Sequence, residues 1–299
     1  MITIIAGPEV IFINQLSDYL VHIMLAFLVL GFILLFTSNS RMMLMSFALS
    51  AALCVFLKNE SNGELIFPKD NYTSKLNISH INLGNITDQQ SMIKLLLESD
   101  LEVISFQELT PEWVSFIDES LRKNYNHSYK AVRIDPFGKA IYSKFPIKII
   151  DTLNQSFAFD LLFEISKNDQ KFNIISTYLT PSLNNSSTNL ARTQMKNISN
   201  VINSKMSNAI VLGEFNMVYW AQEIRNFREA SKLNNSRKDV IPASLKVPYD
   251  HIFYSRDLQC LAVKDLMVNR SERVGMMTCF QKKLDFISQN KIEINSLFN

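Results

Sequence analysis

The chain has 299 residues, 47% of them hydrophobic, and a formal net charge of +2. This length accommodates one large domain and an appendage. The charge is too balanced to indicate a nucleic-acid-binding surface and disfavours a nucleic-acid partner.

Two apolar runs open the chain. Residues 19–36 carry no formal charge and are almost wholly apolar, and a second run covers 42–57 after the polar turn 37–41. A helix of about 20 apolar residues spans a bilayer core of roughly 30 Å. We therefore predict a transmembrane helical hairpin within an anchor at 1–58, with the lipid bilayer as a partner. The alternative is a helical hairpin buried in a soluble core.

The charges that flank the hairpin bear on its orientation. Arg41 is the only charge in the turn, which by the positive-inside tendency places the turn in the cytoplasm, whereas Lys58 after the second run argues the other way. We predict the inner (cytoplasmic) membrane of a bacterium, with the domain on the extracytoplasmic side. A disulfide between Cys260 and Cys279 would support an oxidising compartment, and two buried thiols would not.

The rest of the chain indicates a linker at 59–75 and one domain at 76–299. Thr87 and Gln90 form a capping-box pattern that predicts a helix through Leu97. Helices alternate with strands early, and hairpins dominate the middle. This mixture predicts an α/β (α+β) four-layer sandwich, in which helices flank two packed, mostly antiparallel sheets. The segments 182–188 and 221–246 are predicted to be loops.

The stretch 209–216, AIVLGEFN, is the most informative in the domain. Val211 and Leu212 suit a strand covered on both faces, and Gly213 permits a sharp turn. Glu214 and Asn216 share parity in an extended segment and are expected to face one cleft. Such a pair suits a divalent metal, a water or a phosphate oxygen.

Further segments place polar side chains beside predicted strands: 80–83 (HINL), 106–108 (FQE) and 248–252 (PYDHI). With 209–216 and the stretch 138–147 (GKAIYSKFPI), they make the chain resemble the endonuclease/exonuclease/phosphatase superfamily, in a membrane-anchored bacterial form. The resemblance covers roughly 75–285.

The resemblance implies roles for the matching positions. Glu108 would ligate Mg²⁺ or Mn²⁺, which prefer oxygen ligands, and Asn82 would help to place the metal or the substrate phosphate. Glu214 stands where the family normally has an Asp that holds the nucleophilic water. Asn216 would contact a phosphate oxygen, and Tyr178 stands where many members carry a His.

Arg192 is a further candidate for substrate binding, although a surface salt bridge is the commoner fate of such a residue.

One expected element is missing. The family normally ends with a Ser-Asp-His element, but at that place this chain has 274–279, VGMMTC. Asp250 matches the Asp that normally orients this His, and the adjacent His251 is expected to point to the opposite strand face. A positioned acid or base contributes roughly 10²–10⁴-fold to a rate. The sequence therefore predicts a degenerate active site and a severely impaired hydrolase.

Three functions follow. The first is a membrane-anchored pseudoenzyme that binds a protein partner or a phosphate-containing ligand, without a cofactor. The second is an active Mg- or Mn-dependent phosphodiesterase or phosphatase near the membrane. The third is an anchored partner protein unrelated to hydrolases, which predicts that Asn82, Glu108, Glu214 and Asn216 scatter in space.

Overall fold

The computed structural model describes residues 17–284 except 38, 62–66, 72–73, 85, 156–157, 183, 238–247 and 270–271. The predicted segments 1–16 and 285–299, part of the linker and part of the predicted loop 221–246 therefore lie outside the described residues.

Helices form where apolar residues recur at helical spacing behind a recognisable start. Thr110 and Pro111 begin one helix, and Asn184 and Ser187 cap another in a capping box. The helices are α1 Leu20–Leu34, α2 Ser40–Ser61, α3 Gln89–Glu98, α4 Pro111–Leu121, α5 Asn185–Lys205 and α6 Gln222–Ala230.

The strands form two mixed six-stranded sheets, which confirms the predicted sandwich. One sheet has the order β11-β12-β1-β2-β4-β3 and the other β5-β6-β7-β8-β10-β9. The strands are β1 Lys75–Asn82, β2 Val103–Gln107, β3 His127–Ala131, β4 Lys139–Ser143, β5 Ile147–Gln155, β6 Ala158–Lys167, β7 Gln170–Tyr178, β8 Ala209–Glu214, β9 Leu233–Asn235, β10 Asp250–Ser255, β11 Leu258–Val268 and β12 Glu272–Lys282.

Each sheet contains one parallel pair of strands. In the first sheet β1 runs parallel to β2, with Asn82 beside Gln107. In the second β7 runs parallel to β8, with Tyr178 beside Glu214. Because parallel strands end at the same edge of a sheet, each pair brings two polar residues to one edge.

The core has three apolar layers. Between the sheets lie buried residues such as Ile78, Phe163 and Leu212. A second cluster lies under α3 and α4. The third lies under α5 and α6 and includes Leu20 and Leu53 from the N-terminal helices.

The N-terminal helices pair with each other. Ser50 Oγ donates to the Met24 carbonyl at 3.1 Å, and the rings of Phe32 and Phe47 meet edge to face. In the described part of the chain, α2 alone is long and apolar enough to cross a membrane, and α1 is a shorter apolar helix.

Three sequence predictions need correction. Asp88, not Thr87, caps α3 by accepting a hydrogen bond from Ser91 N at 3.0 Å, because Thr87 bonds Glu272 instead. The predicted loop 182–188 contains the start of α5, and the predicted loop 221–246 contains α6 and β9. The third correction is that α2 extends into the predicted linker. Of the two alternatives left open for Cys260 and Cys279, the structure has free thiols.

Candidate functional site

The site lies where the two parallel strand pairs end, between the sheets. Gln107 joins the two edges: its Oε1 accepts a hydrogen bond from Glu214 N at 3.0 Å, and its Nε2 donates to the Thr177 carbonyl. Gln107 is fully buried, and no role for it was predicted from the sequence. The sequence offers one indication of its importance, because Gln107 is a polar residue at the end of a strand of mostly apolar residues.

Asn82 links the two acids at the centre of the site. Its Nδ2 donates to Glu108 Oε1 at 3.0 Å and lies 3.5 Å from Glu214 Oε2. Its Oδ1 accepts from Gly84 N at 2.8 Å, which fixes the amide orientation. A Cβ on Gly84 would stand 2.0 Å from Glu108 Oε2, so a larger residue there would displace the Glu108 carboxylate.

The backbone is strained at Glu108 and at Asn216. Both have left-handed φ angles, 59° and 53°, which Asn tolerates better than Glu. Strain of about 1–3 kcal/mol at such positions clusters at functional sites. The two residues therefore direct the chain away from its strands at the point where the cleft opens.

Tyr178 and Asn216 form the wall beside Glu214. Asn216 Nδ2 donates to the Leu179 carbonyl at 2.7 Å, and the Tyr178 ring packs edge to face on Phe137. Burial, followed by the negative charge of Glu108, raises the pKa of Tyr178 to about 12. Tyr178 therefore presents a protonated hydroxyl at neutral pH.

Glu214 has a displaced acid–base equilibrium. Burial raises its pKa to about 7, and the negative charges of Asp250 and Glu108 act in the same direction, while the Asn82 hydrogen bond and Arg273 oppose them. The carboxyl group is therefore divided between its two protonation states near neutral pH.

Asp250 pairs with two arginines that the sequence analysis did not select. It lies opposite Glu214 in the register of β10 and β8. Arg273 Nη1 lies 2.9 Å from Asp250 Oδ1, and its Nη2 donates to Oδ2 at 3.0 Å. Arg237 Nη2 lies 3.6 Å from Oδ1.

This network is anchored and buried. Arg273 Nε also donates to Asp265 Oδ1 at 2.8 Å. Burial acts to raise the pKa of Asp250, but the Arg273 and Arg237 guanidinium groups override it and hold that pKa well below its usual range. The carboxylate that would orient a histidine is therefore committed to arginine.

The four histidines lie away from the cleft surface. His80 is fully buried, and burial lowers its pKa to about 4. His251 is also buried, with Nε2 2.7 Å from the Met217 carbonyl, on the opposite strand face from Asp250 as predicted. His22 lies in α1, and His127 begins β3 at the end away from Gln107.

Arg192 has an ion-pair partner. It lies on α5, where its Nη2 is 3.1 Å from Glu223 Oε1. The remaining predicted residues converge: Asn82, Glu108, Glu214 and Asn216 gather at one end of the two sheets. The hypothesis that they scatter in space is therefore wrong.

The donor set fits a divalent cation in part. Within the described residues no cluster of three or more His, Cys, Asp or Glu side chains is arranged to hold a metal. Glu108 and Glu214 nevertheless supply two carboxylates on either side of Asn82 Nδ2. Mg²⁺ commonly takes one or two carboxylates and completes its shell with water and substrate phosphates, and this pair meets that requirement.

Comparison with known proteins places the chain in a family. The sequence model of the Endonuclease/Exonuclease/phosphatase family matches residues 76–270, and the chain belongs to this family. No curated protein matches the sequence. The hypothesis of a partner protein unrelated to hydrolases is thereby wrong.

Solved structures share the fold. A Bacteroides thetaiotaomicron family protein aligns with a TM-score of 0.55 at 13% identity, covering 71% of this chain and 100% of that one. The human Nocturnin catalytic domain gives 0.54 and 16%, covering 70% and 95%. A B. thetaiotaomicron mannosyl-6-phosphatase gives 0.52 and 14%, covering 70% and 100%.

Proposed function

We propose that this chain is a membrane-anchored member of the family whose cleft binds a phosphate-containing ligand and whose hydrolytic activity is lost or strongly reduced. The single observation that carries this proposal is the pairing of Asp250 with Arg273 and Arg237. A guanidinium does not give up its proton in a protein. It therefore does not replace a histidine as an acid or base, although its charge can still attract a phosphate.

The cleft retains groups suited to phosphate binding. The Tyr178 hydroxyl is a neutral hydrogen-bond donor beside the two acids. The Asn82 and Asn216 amides would donate to a phosphate in exchange for their bonds to the acids and to the Leu179 carbonyl. The family's enzymes typically depend on a divalent metal, and Glu108 with Glu214 would hold Mg²⁺ or Mn²⁺ here. Such a cation would offset the negative charge that the carboxylates present to a phosphate.

The anchor is part of the proposal. The N-terminal hairpin exposes large apolar side chains, among them Phe36 (93%), Leu44 (62%) and Met45 (63%). Such a surface suits lipid. With Arg41 at the start of α2, beside the turn, we propose that the turn lies in the bacterial cytoplasm and the domain outside the inner membrane. Protease treatment of spheroplasts that degrades the domain would support this orientation, and its protection would contradict it.

A hydrolysis assay tests the loss of activity. The full chain in detergent, with Mg²⁺ or Mn²⁺, is expected to hydrolyse phosphomonoester and phosphodiester substrates no faster than its Glu108→Gln variant. Binding of inorganic phosphate by the same sample should be measurable by equilibrium dialysis. An enzyme-like rate that Glu108→Gln abolishes would refute the loss of activity.

A second function is supported by Glu214. A pKa of about 7 is close to the optimum for an acid–base group at neutral pH, which favours an active phosphodiesterase or phosphatase. In that case the pH–rate profile would show an inflection near 7 that Glu214→Gln removes. A flat or absent rate in both chains supports the first proposal.

A further inference from the structure

The base of the N-terminal hairpin contacts the loop that follows β8. On the α1 side, Trp220 Nε1 donates to the Ser17 carbonyl at 2.8 Å, and Tyr249 Oη donates to Asp18 Oδ2 at 3.0 Å. Leu20 and Leu57 pack into the same apolar cluster as Trp220. The hairpin is therefore fixed to this loop by hydrogen bonds and by buried apolar area.

The α2 side is also fixed. Arg228 Nη1 donates to the Glu60 carbonyl at 2.8 Å. The guanidinium groups of Arg225 and Arg228 each lie 3.6 Å from the Glu60 carboxylate, and that of Arg225 lies over the Phe56 ring. Both ends of the hairpin thus attach to the domain between β8 and β10.

These contacts continue into the cleft. Phe215 N donates to the Tyr249 carbonyl at 2.8 Å. Phe215 stands between Glu214 and Asn216 in the sequence, and Tyr249 directly precedes Asp250. A short chain of bonds therefore joins Asp18, at the start of the hairpin, to the backbone of the site.

The packing of α2 leaves no spacer between the bilayer and the domain. Leu53 and Leu57, in the second half of its 22 residues, are buried against the domain. The part of α2 before Leu53 extends about 20 Å, which crosses a hydrocarbon core of roughly 30 Å only where the bilayer thins locally. A hairpin inserted to that depth brings the loop around Trp220 to the level of the lipid headgroups.

We propose that the cleft opens at the bilayer surface and takes its phosphate group from a lipid headgroup in that bilayer. This inference rests on the proposed membrane anchoring and phosphate binding, and it adds the source of the ligand. Confinement of hairpin and lipid to one membrane raises the effective ligand concentration at the cleft. A soluble phosphate compound of the same chemistry lacks that advantage.

Competition in nanodiscs distinguishes the two sources. In the assay, the full chain is placed in phosphatidylcholine nanodiscs with Mg²⁺ and loaded with radiolabelled inorganic phosphate. The competitor is either phosphatidic acid in the same disc or glycerol 3-phosphate in solution. We expect phosphatidic acid to displace the phosphate at a total concentration at least tenfold lower than that of glycerol 3-phosphate. Equal potency would overturn the lipid source and leave the proposed function intact, whereas no phosphate binding at millimolar concentration would overturn both.

An uncoupled variant tests the geometry. Trp220→Phe with Tyr249→Phe removes the two α1 hydrogen bonds, and we expect the lipid advantage to fall at least threefold while displacement by glycerol 3-phosphate changes less than twofold. Tyr125→Phe is the matched control, since its hydroxyl bonds the Leu101 carbonyl in another part of the fold. An unchanged lipid advantage in the double variant would contradict the coupling.

The position of Trp220 can be measured without any ligand. The chain has two tryptophans, so Trp113→Phe leaves Trp220 as the single reporter. We expect acyl chains brominated near the headgroup to quench its fluorescence more than chains brominated near the bilayer centre. Absence of quenching by either lipid would overturn the placement at the membrane surface.

Discussion

Among single residues, Glu214 makes the stability of the protein depend on pH. Burial raises its pKa to about 7, against about 4.3 in an unfolded chain. The folded protein then binds more protons than the unfolded chain between these two values. The stability that Glu214 contributes is fully present below about pH 4.3 and is lost as pH rises through about 7.

The variant Glu214→Gln removes this dependence. We expect its stability relative to the native chain to improve by up to about 3 kcal/mol between pH 5 and pH 8. The measurement is urea unfolding of both chains at the two pH values, with EDTA present. Glu98→Gln is the control, since Glu98 is an exposed partner of Lys94. Parallel pH profiles for the Glu214→Gln and native chains would contradict the raised pKa.

Arg273 holds a buried charge in place. Asp250 and Asp265 are almost fully buried, and breaking a buried pair by removing one partner typically costs about 3–5 kcal/mol. Because Arg237 remains beside both acids, we expect Arg273→Met to cost roughly 2–4 kcal/mol in the free energy of unfolding.

A double-mutant cycle separates the ion pair from packing. Asp250→Asn in the Arg273→Met background should recover part of the lost stability, because the uncompensated charge is gone. Arg133→Met is the comparison, since its pair with Asp135 is more exposed and is expected to contribute less than about 1 kcal/mol. Similar costs for Arg273→Met and Arg133→Met would show that burial of the charges is unimportant.

At the level of secondary structure, Gly213 allows β7 and β8 to approach each other closely. Its φ is +147°, and a Cβ there would stand 1.8 Å from the Thr177 carbonyl and 2.8 Å from Gln107 Nε2. Gly213→Ala must therefore separate β7 from β8 or displace the Gln107 bridge. We expect a loss of more than about 2 kcal/mol in unfolding free energy, from strain and from broken hydrogen bonds.

The control for this change is Ser207→Ala, outside the strand contact. A second measurement is the rate of backbone amide hydrogen exchange. In Gly213→Ala this rate should rise at Leu179, which follows β7, and at Glu214, which ends β8. Native-like exchange and stability would contradict the close approach.

The elements also show what the sequence can predict. Val211 and Leu212 predict a buried strand, because burial leaves a local pattern. The sharp turn predicted at Gly213 is wrong, since Gly213 is paired with both neighbouring strands inside β8. The convergence of Asn82 with Glu214 required the family resemblance, since the two lie 132 positions apart. Arg273 left no local signal, because its partner Asp250 comes from a different sheet and the pairing depends on how the sheets stack.

At the scale of the whole molecule, the hairpin and the domain share one core. Leu20 and Leu53 are about as buried as residues between the sheets, while the distal half of the hairpin exposes apolar side chains. An independent anchor would have no reason to bury leucines against Trp220 and Phe227. The hairpin therefore contributes to the folding of the domain.

A matched pair of substitutions on α2 tests this shared core. Leu53 is fully buried and Leu44 is 62% exposed, so the same Leu→Ala change removes core packing at one position and exposed apolar area at the other. We expect Leu53→Ala to lower the unfolding free energy of the domain by about 2–5 kcal/mol, and Leu44→Ala to leave it nearly unchanged. Denaturation of both chains in nanodiscs, followed by near-UV circular dichroism, measures the difference. Equal stability of the two variants would mean that the hairpin only tethers the domain, and the height of the cleft above the bilayer would then no longer be fixed by the fold.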